Sequence, residues 1–203
     1  IQLRRQRIHR LAANHIRHSH RKNYLATKEA MLKPKGLTIV TDTGELLDEV
    51  KVILDQIAQY DAVLSAGHLH ISEIWPLFDE AKKRGVTRLL VNHPTFLIDA
   101  NLSDITELAN MGAMLEHSSC MWAGVQNKSG KYTAEGLNSL IKAGGVDHTI
   151  IGSDLGQEGN PTPVEGLRHV IGMCLDLGYG ESDIRKMIGG NAARLMGLDG
   201  SKQ

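Results

Sequence analysis

This sequence is organised by four short runs of small, apolar and β-branched residues, which leave it few ways to fold: "AVLSAGH" (62–68), "TRLLVNHP" (87–94), "AMLEHSS" (113–119) and "HTIIGSD" (148–154). Each reads as a buried strand, and between successive runs the apolar residues recur at helical spacing. Strand and helix alternating about every 25 to 40 residues is the pattern of βαβ units around a parallel sheet. A (β/α) barrel and a doubly wound sheet both satisfy it.

The intervening helices have readable faces and ends. In "LLDEVKVILDQIAQY" the residues Leu46, Leu47, Val50, Ile53, Leu54 and Ile57 form one stripe. Ser72 is placed to cap the next helix, whose stripe is Ile74, Leu77, Phe78 and Ala81 and whose last turn is the cationic "KKRG". "SDITELANMG", "YTAEGLNSLIKAGG" and "PTPVEGLRHVIGMCLDLG" follow, the last with Val164, Leu167, Ile171, Cys174 and Leu175 on one side. "ESDIRKMIGGNAARLMGL" holds one or two shorter helices, and "LTIV" and "ELL" flank the turn-forming "TDTG" as in a hairpin or extended loop.

Composition narrows the function classes. The 203 residues are 41% hydrophobic, enough for the core of a single α/β domain over 1–203. Lys plus Arg (23) balances Asp plus Glu (23), so the net field gives no reason to expect nucleic acid or an anionic membrane as partner. Cys120 and Cys174 lack CxxC spacing and suit a reducing, cytoplasmic setting. No apolar run approaches the roughly 20 residues of a membrane-spanning helix. The opening "IQLRRQRIHR" matches neither strand nor amphipathic helix and implies that something precedes Ile1.

Carboxyl ends of parallel strands open on one face, so reactive residues placed there converge. Here those ends carry His68, His93, Glu116 with His117, and Asp154. Taken singly, each histidine is as well explained by a bond to a backbone carbonyl. Together with Asp154 they form a set that a divalent metal accepts, zinc first, manganese or iron next, while the scarcity of cysteine disfavours a thiolate site. Such a metal acidifies bound water, and Asp154 is placed to bind it or to take the proton. Glu116 would bridge, orient or bind a small-molecule substrate, and His117, pointing the other way, should face a helix layer. His70 is expected to start the following helix, as a cap or a surface residue rather than a ligand. Asn14 and His15 become rim residues if "RLAANHIRH" is a strand end and loop, and Trp122 is a pocket candidate against simple packing.

"AGHL" and "VNHP" at successive strand ends, then "IGSDLG", then "GGNAARLMGL", resemble the later part of a metal-dependent hydrolase of the amidohydrolase superfamily. That resemblance covers roughly residues 61–198 and implies a TIM-type (β/α) barrel. His68 would take the fifth-strand place, His93 the sixth and Asp154 the eighth. The chain would then carry strands four to eight, with the N-terminal part missing or supplied by another chain, and a homo-oligomer or a complementing segment is expected. The family also includes lyases that decarboxylate. From other classes, a non-catalytic ligand-binding α/β subunit and a nucleic-acid protein using the basic opening are the rivals.

Overall fold

A computed structural model describes residues 38–198. The four runs become strands β1 (Leu64–Ser65), β2 (Leu89–Asn92), β3 (Met114–Ser118) and β4 (Thr149–Gly152). All neighbouring pairs are parallel, and the spatial order β1-β2-β3-β4 repeats the chain order. Parallel neighbours need a crossover, and helices supply each one. They are α2 (Ile71–Lys83) between β1 and β2, α3 (Leu102–Asn110) between β2 and β3, and the short α4 (Cys120–Ala123) with α5 (Ala134–Gly144) between β3 and β4, while α1 (Asp48–Gln59) precedes β1. After β4 come α6 (Pro163–Asp176), α7 (Glu181–Arg185), a π-helical turn at Lys186–Gly190 and α8 (Asn191–Met196). Before α1, Val40 and Leu46 bridge antiparallel around the turn at 41–44, as "TDTG" predicts.

Alternation along the strands divides the sheet's faces. Leu64, Leu89, Val91, Leu115 and Ile151 join the main core with Ile74 and Phe78 of α2, Ile105 and Leu108 of α3, Leu137 and Ile141 of α5, and Val170 of α6. On the other face Met114 and Ile150 form a small cluster with Leu195 of α8, edged by Val63, Leu90 and Ala192. That smaller cluster covers only part of the face. Farther along the strands the same face is polar.

Three expectations from the sequence are corrected. His70, not Ser72, caps α2: its side chain accepts from the Ser72 backbone N–H, and Ser72 lies inside the first turn. On α1 only Leu54 is fully buried, while Ile53 and Val52 are exposed, because the helix meets the protein along a narrow line against α2. On α6 the buried stripe is Gly166, Val170 and Cys174, which leaves Val164 and Leu175 exposed. Spacing of i, i+4, i+8 is equally helical, and the glycine lets the axis approach more closely than a stripe of larger residues would. Among the described residues no helix is long and apolar enough to cross a membrane.

Candidate functional site

The strand ends bring the first two histidines together. After β1 the ladder runs one residue further, Ala66 N–H to Leu90 O at 2.8 Å, and Gly67 at φ +56° then turns the chain so that His68 faces β2. After β2 the His93 N–H still bonds Glu116 O at 2.7 Å, and His93 itself takes φ +28° before Pro94. The Nε2 atoms of His68 and His93 lie 3.1 Å apart, with ring centroids 4.8 Å apart. His68 is exposed, whereas His93 is 8% exposed and meets Phe96 edge-on. The Nδ1 of His93 is buried without a hydrogen-bond partner among the described residues. Asp154 also sits at positive φ, +47°. Left-handed backbone at a non-glycine residue costs of order 1–3 kcal/mol and gathers at sites where side-chain direction matters.

Beneath the pair a row of polar side chains crosses three strands. Ser65 Oγ donates to Asn92 Oδ1 at 2.6 Å, Asn92 Nδ2 donates to Glu116 Oε2 at 3.2 Å, and Ser118 Oγ donates to Glu116 Oε1 at 3.0 Å. Asn92 pairs in register with Glu116, and Ser118 with Gly152, so the row belongs to the face that α8 leaves uncovered. At Gly152 a Cβ would stand 2.3 Å from Glu116 Oε1. Only glycine leaves room for the carboxylate there. Sequence reasoning found Glu116 but missed Ser65, Asn92 and Ser118.

Asp154 follows two continuations of the β3–β4 pairing, Ser119 N–H to Gly152 O and Cys120 N–H to Ser153 O. Its side chain is exposed at the rim and accepts from Cys120 Sγ at 3.5 Å. Burial, together with the neighbouring Asp154 carboxylate, pushes the Cys120 thiol up to about 12, so it stays protonated. Among the described residues no three His, Cys, Asp or Glu side chains stand close enough to hold a metal ion together. The structure joins His68 to His93 and does not group Asp154 with them.

The other candidates divide. His117 points into the interior, as the alternation predicts; it is 2% exposed, its Nε2 has no partner among the described residues, and burial lowers it to about 4. Trp122 is 6% exposed and donates Nε1–H to Thr133 O at 3.1 Å, with Tyr132 edge-on, which is packing rather than a pocket wall. Glu73 is buried at the start of α2, with its carboxyl raised by burial and eased by backbone N–H groups of His70 and Ile39. Asn14 and His15 lie outside the described residues. A cleft of about 300 Å³, lined in part by Asn138, Ile141, Lys142 and Tyr179, opens near the start of β4, away from the strand ends just described.

Sequential parallel strands with helical crossovers and polar residues at the strand ends define an α/β protein whose candidate site is at the carboxyl edge of its sheet. Residues 10–116 match a family of unknown function (DUF6282), and the chain belongs to that family. The match includes His68, His93 and Glu116 and ends before Asp154. No curated protein and no solved structure matches the chain.

Proposed function

We propose that the protein is a metal-dependent hydrolase of the amidohydrolase type, in which His68 and His93 hold a divalent cation and the sheet is part of a (β/α) barrel. The observation that carries this reading is the separation of the two Nε2 atoms, 3.1 Å. Two imidazole nitrogens each about 2.0–2.1 Å from one zinc lie about 3.3 Å apart at a tetrahedral angle and about 2.9 Å apart at a right angle. The observed spacing falls between these. Neutral Nε2 donors on adjacent strand ends are the ligand chemistry that zinc, manganese or iron takes. Strand order equal to chain order also supports the barrel, since doubly wound sheets reverse direction at a switch point.

A cation bound there would polarise a carbonyl or phosphoryl oxygen and acidify a water. The remaining ligands would come from water or from residues outside those described. Asp154, standing apart from the pair, fits the proton-accepting role better than the ligand role. Asn92 and Ser118 hold Glu116 in one orientation for contact with substrate. Decarboxylation by the same groups is the nearest alternative chemistry.

The spacing of the pair also suits an N–H···N hydrogen bond, which favours a second reading, a ligand-binding module without a metal. Equilibrium dialysis against zinc and manganese, followed by assays on esters, lactones, amides, phosphoesters and aromatic acids, separates the two. The hydrolase reading expects one tightly held equivalent of metal or more and metal-dependent turnover of a hydrolysable class. Absence of stoichiometric metal in the wild-type protein, with no thermal stabilisation by added zinc or manganese, would overturn it.

A further inference from the structure

We infer that Glu116 forms a recognition site for a cationic nitrogen, so that the molecule taken up at the strand ends carries a protonated amine or amidinium. The inference rests on the proposed hydrolase for the reaction that follows, but not for the binding itself.

Three observations lead to it. The first is direction: every hydrogen bond in the polar row points toward the carboxylate, from Ser65 through Asn92 to Oε2 and from Ser118 to Oε1. Both oxygens act as acceptors, the role of an ionised carboxylate, and each keeps a lone pair for another donor. The second is the absence of a countercharge. Among the described residues no lysine or arginine forms an ion pair with Glu116. Arg84 pairs with Asp55 and Glu80, Arg88 with Asp61, and Lys186 with Asp147. These pairs sit where helices end and strands begin, away from the carboxyl edge. Neutral donors orient a carboxylate without cancelling its charge, and a half-buried charge favours a partner of opposite sign.

The third observation concerns space and neighbours. Gly152 contributes no side chain, and the Glu116 carboxylate fills the place its Cβ would take, so the carboxylate is seated against bare backbone. With Asp154 exposed just past the end of β4, the local field at this edge favours a cation over an anion.

The test uses the full chain, as prepared and after loading with zinc, and two probes of similar shape, benzylamine and benzyl alcohol, followed by ligand-observed NMR. Wild-type protein should bind benzylamine at least about tenfold more tightly than the alcohol, as a charge-assisted hydrogen bond provides. In Glu116→Gln the preference should disappear, and in the wild type it should shrink as salt is raised. If Glu116→Gln does not fold, the salt series on the wild type decides: a preference for benzylamine that does not shrink as salt is raised would overturn the inference. Equal binding of the probes, binding of neither, or a preference that survives Glu116→Gln would overturn the inference. Metal content and turnover, measured separately, decide the hydrolase reading.

Discussion

Lowering the pH should destabilise this protein through His117, and the size of the effect follows from its burial. The imidazole is wholly enclosed, and burial alone lowers it from 6.5 to about 4. Between those values the unfolded chain binds a proton there that the folded protein refuses, so stability rises with pH across this window and is complete above it. The shift corresponds to about 3 kcal/mol in total, of which about 2 kcal/mol is lost between about pH 7.5 and pH 5. Urea titrations at both pH values, on wild type and His117→Leu, isolate the contribution because other carboxylates and histidines titrate alike in the two proteins. Leucine is close in volume and leaves no orphaned ring nitrogen in the core, so the variant should be no less stable at neutral pH and should lose the histidine's share of the slope. Parallel stability curves for the two proteins would show that the ring is hydrated or paired in solution, and the assignment of His117 to the interior would fail.

Two further substitutions probe the frame of the site. Gly152→Ala should force the Glu116 carboxylate away from Asn92 and Ser118, costing about 1–2 kcal/mol in a thermal melt; a change under about 0.5 kcal/mol would mean the row is not held as described. His70→Ala should cost about 1 kcal/mol by removing the cap on α2, while His70→Asn should restore most of it, and equal losses in the two would contradict a capping role.

The strands were legible because β-branched runs bounded by glycine and proline have few other uses. The runs place the ends of β1 and β2 at His68 and His93, and the structure ends these strands at Ser65 and Asn92, within three residues of those positions. Helix faces were less so. On α6 the sequence offers overlapping stripes, and only the approach permitted by Gly166 selects the one that is buried. His70 and Ser72 are both competent caps, and which one serves depends on the turn after β1 rather than on either residue. Within the site, the histidine pair could be anticipated from recurrence at strand ends. The polar row could not: Ser65, Asn92 and Ser118 are ordinary residues singly, and become a set only once the register Asn92 to Glu116 is known. Alternation along "LLVN" and "MLEHS" puts Asn92, Glu116 and Ser118 on one face each, which was the available signal.

Zinc K-edge X-ray absorption on the metal-loaded protein tests the central claim most directly. Two imidazole scatterers at about 2.0–2.1 Å are expected, with their multiple-scattering signature lost in His68→Asn/His93→Asn. A spectrum of oxygen ligands only, or one unchanged by that double substitution, would contradict it.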